Sequence, residues 1–324
     1  MTLPRGLVVD VERTPYYHCV SRCVRKAFLC GEGNEHRKDW LENRLRELVG
    51  VFAVEVAGYA LMDNHLHVLV RLEPHRASEW TAEEVVERWV KLFPPQTKDR
   101  KPMEGLALRI LMQGHVADEA WVEKVRGRLA DLGWFMKCLK EPLARLANRE
   151  DDCRGAFWEG RYKSIAVLDE ASLLATCAYI DLNPLAAGVV KLPEEAEHTS
   201  LHARLEHVKD QGCESELQVG LESTLAGQLA SSNVEETHWL CPIQDRRTLD
   251  GHRAGLLPDF PLSSYLKLLD WASRLVRRGK ARLTSEVSHI LHRLGTTAPL
   301  FHTLLTRLFR RPTPYGTTLS LSAT

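Results

Sequence analysis

Ala53-Val-Glu-Val-Ala-Gly-Tyr-Ala-Leu-Met62 and His65-Leu-His-Val-Leu-Val-Arg-Leu72 are two apolar runs separated only by Asp63-Asn64. Apolar runs of this length predict strands, and a turn-forming pair between them predicts an antiparallel hairpin. Alternate strand residues share a face, so His65 and His67 project together while Leu66, Val68 and Val70 point the other way. Two nitrogen ligands therefore converge at the start of the second strand.

Working outward, Tyr16 to Arg22 alternates as a first strand, and Cys30-Gly-Glu-Gly-Asn34 is turn-rich. From Glu35 to Val51, Trp40, Leu41, Leu45, Leu48 and Val49 recur at helical spacing, as expected of an amphipathic helix resting on a sheet. Residues 76–122 interrupt this pattern as a helical insertion, with a helix over Thr81 to Phe93 ended by Pro94-Pro95. A second sheet-covering helix is expected over Val122 to Asn148, kinked or interrupted at Pro142. Arg161 to Leu168 reads as a fourth strand; Asp169 then caps a helix running through Tyr179 to Leu182, which Asn183-Pro184 stops.

The order strand, helix, strand, strand, helix, strand is that of a split β-α-β, ferredoxin-like arrangement. The expected class is α+β: an antiparallel sheet with helices on one face and an open face for a site, followed by a mainly helical C-terminal region. Polar, acidic stretches at Asp210-Gln-Gly-Cys-Glu-Ser215 and Ser231-Ser-Asn-Val-Glu235 suit exposed connections. They suggest a boundary near residue 195, dividing a domain of residues 1–194 from an accessory domain of residues 195–324. In the latter, a helix over Leu262 to Arg278 leads into a basic cluster of Arg274, Arg277, Arg278, Lys280 and Arg282. Segments Thr284 to Leu294 and Pro299 to Phe309 fit a helix-turn-helix, and fit any other small helical module equally.

At 324 residues and 44% apolar composition, two domains are the default expectation. Lys+Arg and Asp+Glu balance at 43 each, so nucleic-acid contact must use local basic patches, not a global positive field. Eight scattered cysteines and a start without an apolar signal region predict reduced thiols in a cytoplasmic protein; the absence of any spanning apolar stretch excludes a membrane helix.

Tyr179 lies one helical turn before Asn183, which puts a phenol and a further ligand on one helix face. Two imidazoles can hold a divalent cation that polarises a phosphodiester, and the Asn183 carbonyl is an oxygen of the type that Mg²⁺ or Mn²⁺ favours. A phenol attacks phosphorus poorly unless a cation activates the target, so metal and tyrosine belong together. Attack by tyrosine stores the bond energy in a phosphotyrosine link, which permits joining as well as cutting. Each residue also has a plain structural use: paired histidines occur in ordinary cores, Tyr179 can pack on a sheet, and Asn before Pro ends a helix.

Four blocks in order, Tyr16-Tyr-His-Cys-Val-Ser-Arg22, Gly58 to Val70, Phe157-Trp-Glu-Gly-Arg-Tyr-Lys-Ser164 and Tyr179-Ile-Asp-Leu-Asn-Pro-Leu-Ala-Ala-Gly188, resemble the REP-associated tyrosine transposases of the HUH single-strand nuclease superfamily, over residues 13–192. The resemblance implies a bacterial-type, metal-dependent DNA endonuclease and strand transferase acting at hairpin or palindromic DNA. It assigns His65 and His67 as metal ligands and Tyr179 as the nucleophile forming a 5′-phosphotyrosine, with Asn183 the candidate third ligand where related insertion-sequence transposases place glutamine, and water or DNA the alternative to this shorter side chain. Asp63 stands where the family often has proline. Arg22, Arg161 and Lys163 are candidate phosphate contacts, the two arginines favoured because they sit in these blocks, and Trp158 and Tyr162 are candidates to stack on bases or to pack in the core. Expected partners are single-stranded or hairpin DNA, with the protein a monomer or homodimer. The alternative is a domesticated regulator or hairpin chaperone that keeps the fold.

Overall fold

The computed structural model describes residues 9–222, 234–235, 237–245, 254–258, 260–278 and 284–310. β1 (Tyr16–Arg22), β2 (Val54–Leu61), β3 (His65–Leu72) and β4 (Lys163–Ala166) form an antiparallel sheet in the order β2-β3-β1-β4. The hairpin closes where the Met62 N–H meets the His65 carbonyl at 2.8 Å, and His18 on β1 stands opposite Ile165 on β4. α1 (His36–Val49) connects β1 to β2. Between β3 and β4 come α2 (Pro74–Glu79), α3 (Ala82–Leu92), α4 (Gly105–Val116), α5 (Glu119–Leu129) and α6 (Leu132–Glu150). After β4 follow α7 (Glu170–Asp181), α8 (Asn183–Ala186), α9 (Ser200–Asp210), α10 (Glu214–Glu222), α11 (Leu262–Arg278), α12 (Ser285–Arg293) and α13 (Ala298–Arg310). This is the expected α+β class with a helical C-terminal region.

The chain separates into two compact units. The first holds the residues up to Lys38, Val56–Val70 and those from Trp158 onward. α7 organises it. The Asp169 carboxylate accepts the Ser172 N–H at 2.7 Å and starts the helix, in which every residue from Ala171 to Asp181 is buried. A helix apolar all round needs cover on all sides. On the sheet side it meets Tyr16, Leu69 and Ile165; α13 also packs against it, and the core continues into Tyr265, Leu268, Trp271, Phe301 and Leu305. That core runs unbroken through Leu185 and Leu201. Burying each such side chain contributes roughly 1.5–3 kcal/mol.

One expectation changes here. The sheet has no open face along its middle: β3 is buried from Leu66 to Leu72, including His67. In sequence the histidines make one face of β3 look polar, and only the packing of α7 closes it. The last helix, α13, lies on α7 with Phe301, Leu304, Leu305 and Leu308 buried. Lys280 and Arg282 of the anticipated basic cluster lie outside the described residues.

A second polar group also sits in this core. Asp181 accepts from Ser200 Oγ at 2.6 Å, from the Leu201 N–H at 3.0 Å and from the Tyr265 hydroxyl at 2.5 Å. Fully buried Arg204 pairs with Glu235 and donates to the carbonyls of Ala57 at 3.0 Å and Cys241 at 2.8 Å. Glu235, expected in an exposed connection, is therefore an internal counter-charge. Gly58 permits the close approach of Ser200, whose Oγ would stand 3.2 Å from an added Cβ.

The second unit comprises Asp39–Glu55 and Arg71–Phe157. Thr81 and Glu84 cap α3 reciprocally, which explains its sharp start. The single helix expected over Val122 to Asn148 is instead α5 and α6: the Asp131 carboxylate accepts the Trp134 N–H at 2.8 Å and begins a new helix. Pro142 lies inside α6. Its missing N–H frees the Cys138 carbonyl, which accepts from Arg44 Nε at 3.3 Å instead.

Candidate active site

Strand alternation and strand order together build this site. β3 turns His65 and His67 to the face covered by α7, and neighbouring β1 contributes His18. His18 Nε2 and His67 Nδ1 are 2.9 Å apart, with their rings stacked at an interplanar angle of 27°. The His65 ring meets His67 edge-on, with centroids 4.9 Å apart. Its Nδ1 is 2.6 Å from Asn64 Oδ1, and Asn64 Nδ2 donates to the Lys26 carbonyl at 3.2 Å.

Burial holds all three imidazoles neutral. It pushes His65 down to about 4, assisted by the positive charge of Arg22, and His18 down to about 3. His67 falls well below the usual range, by burial first and then by the neighbouring His18, His65 and Arg22. Neutral imidazole is the form that binds a metal.

Tyr179 reaches the same place from α7. Its ring is edge-on to His67 at 5.3 Å and to His18 at 5.8 Å. α7 ends at Asp181, yet Leu182 N–H still bonds the Ala178 carbonyl and Ala187 N–H the Asn183 carbonyl, each at 2.9 Å, so helical spacing carries into α8. Asn183 accordingly sits one turn after Tyr179, and its side chain bears on the ionisation of both the phenol and His65. Burial raises the phenol pKa, opposed by Asn183 and Arg22, so the hydroxyl keeps its proton at neutral pH. Phe309 of α13 packs over Tyr179 with centroids 4.8 Å apart, and Tyr179 is only 9% exposed.

Among the described residues His65 and His67 could hold a divalent cation here, with the Asn183 amide as the candidate third donor. The fit is good at one telling atom: His67 Nε2 is buried and has no hydrogen-bond partner among the described residues. A cation would satisfy that nitrogen. Among the described residues no cluster of three or more His, Cys, Asp or Glu side chains could chelate a metal, so an amide oxygen is the available third donor.

The candidate phosphate contacts gather at one end of β1 and β4. Arg22 is exposed, and its charge bears on His65, His67 and Tyr179. Its carbonyl accepts the Glu159 N–H at 2.8 Å, which brings the segment carrying Arg161 alongside. Arg161 and Lys163 are exposed, Lys163 opposite Val20 on β1. Tyr162 is buried and Trp158 half-buried, so Tyr162 serves the core while Trp158 keeps an accessible part of its ring. Arg25 and Lys26 are exposed with left-handed backbones, φ of 54° and 58°.

Sequence reading missed three participants. His18 lay inside a quoted block, but nothing local says that β1 borders β3. Asn64 read as a turn residue and also orients His65. Phe309 belongs to a helix whose partner only the tertiary structure names.

No family model matches this chain, and no curated protein does. Among solved structures the chain is similar to a REP-associated tyrosine transposase bound to a REP hairpin, with a TM-score of 0.35 and 11% identity, over 59% of this chain and 78% of the other.

Proposed function

We propose that this protein is a metal-dependent single-strand DNA endonuclease and strand transferase that works through Tyr179. The observation that carries the reading is the meeting of β3 and α7: the His65 and His67 rings are edge-on with centroids 4.9 Å apart, and the Tyr179 ring is edge-on to His67 at 5.3 Å. A nucleophile and a ligand pair so placed match phosphodiester chemistry, and a cation would engage the bare Nε2 of His67.

In the proposed reaction Tyr179 Oη bonds to phosphorus and the P–O3′ bond breaks. The phenol loses its proton, the departing 3′ oxygen takes one up, and a 5′-phosphotyrosine remains. His65, His67 and Asn183 would hold Mg²⁺ or Mn²⁺, which would supply Lewis-acid polarisation of the phosphodiester. Arg22 stands where it would stabilise both the phosphate and the phenolate, while Arg161 and Lys163 would follow the backbone further out. Residues 1–194 would carry the chemistry and residues 195–324 an accessory, DNA-contacting role. Hairpin or palindromic DNA is the substrate implied by the four sequence blocks, for a protein acting as monomer or homodimer in the cytoplasm.

Incubation with labelled hairpin oligonucleotides and Mn²⁺ tests this directly. Denaturant-resistant adducts that disappear in Tyr179→Phe are expected; adducts persisting in that variant would remove Tyr179 from the mechanism. The cover that Phe309 places over Tyr179 favours a second reading, a hairpin-binding regulator that keeps the site without cutting. Tight hairpin binding with no adduct at any Mn²⁺ concentration would select it.

A further inference from the structure

We infer that His18 is a positioning residue: its Nε2 accepts the Nδ1–H of His67 and so keeps the Nε2 lone pair of His67 presented to the Tyr179 pocket. The inference rests on the functional reading above but is decided by separate measurements. A 2.9 Å contact between two ring nitrogens needs one shared proton, and only two polarities are open. Both rings are buried, at 1% and 3% exposure, so each is neutral and carries a single N–H.

If His18 donated, the only proton of His67 would sit on Nε2. It would be a buried N–H with no acceptor among the described residues. If His67 donates, Nε2 presents a lone pair, which a cation can use. The neighbouring ligand supplies an independent parallel. The Asn64 amide is oriented by its bond to the Lys26 carbonyl, so its oxygen faces His65 and takes the Nδ1 proton. Both histidines of the pair would then carry hydrogen on Nδ1 and leave Nε2 bare. For His65 the orienting group comes from the adjacent residue; for His67 it comes from a different strand. Ligating histidines characteristically donate their second nitrogen to such an acceptor, and losing it typically weakens metal binding about 10- to 100-fold.

The test uses metal-free, ¹⁵N-histidine-labelled protein, with the His67 tautomer read by long-range proton–nitrogen NMR, and Mn²⁺ affinity measured separately without DNA. Wild type should show His67 as the Nδ1–H form. His18→Phe should let the Nε2–H form appear and weaken Mn²⁺ binding about 10- to 100-fold. His18→Gln, whose amide oxygen can accept the same proton, should restore the Nδ1–H form and most of the affinity. Nε2–H on His67 in the wild type, or an unchanged tautomer and affinity in His18→Phe, overturns the inference. Should His18→Phe fail to fold, the wild-type tautomer and His18→Gln still decide it. Neither measurement involves DNA, so a protein that cleaves no hairpin sinks the functional reading and leaves this result standing.

Discussion

Two buried polar clusters lie two residues apart on α7 and are finished differently. Around Asp181 three donors, from Ser200, Leu201 and Tyr265, saturate one carboxylate. Around Tyr179 a histidine nitrogen is left bare beneath an apolar cover. Folding alone favours the first arrangement, since an unpartnered buried polar atom typically costs about 1–3 kcal/mol. The second is tolerated where the atom has a later partner. One helix thus carries a structural anchor and a chemical reserve, and perturbing each should affect different observables.

The largest separation is expected from Tyr179→Phe. Covalent adducts should fall on the order of 10⁶-fold, effectively to nothing, with hairpin affinity unchanged in gel-shift titration. Asp181→Ala should do the reverse. Breaking the buried network should cost about 3–5 kcal/mol in denaturant unfolding, while molecules that remain folded keep the Tyr179 chemistry. A comparable loss of stability in Tyr179→Phe would erase the distinction.

Metal should sharpen it further. At roughly 100 times its dissociation constant Mn²⁺ should stabilise the fold by about 2.7 kcal/mol, seen as a rise in Tm. Chelation, His65→Ala or His67→Ala should abolish the rise and the cleavage together; a rise that survives both substitutions would place the cation elsewhere. The smallest effect belongs to the surface: each of Arg161→Gln and Lys163→Gln should lower the salt dependence of single-strand binding by about 0.7 in log–log slope. Identical slopes in wild type and variants would remove these side chains from the interface.

How much was legible follows the same divide. β1 and β3 were readable to the residue because an apolar run and a two-residue turn are local signals, and the start of α7 because Asp169 caps it. The break at Asp131 escaped notice because apolar spacing continues across it, while Pro142 drew attention and proved compatible with a helix once Arg44 took the freed carbonyl. Glu235 looked like linker acid because its partner, Arg204, lies 31 positions away. Of the candidate site, His65 and His67, and Tyr179 and Asn183, were nameable as two pairs, since each pair is separated by one strand or helix repeat. His18 and Phe309 were not.

The sequence alone determined which side chains share a face, because backbone periodicity of two or 3.6 residues is a local property of the chain. Tertiary structure decided which faces meet: β1 beside β3, α7 over the histidines, α13 over Tyr179. Those meetings depend on burial summed over a long-range core, which no short window of sequence contains.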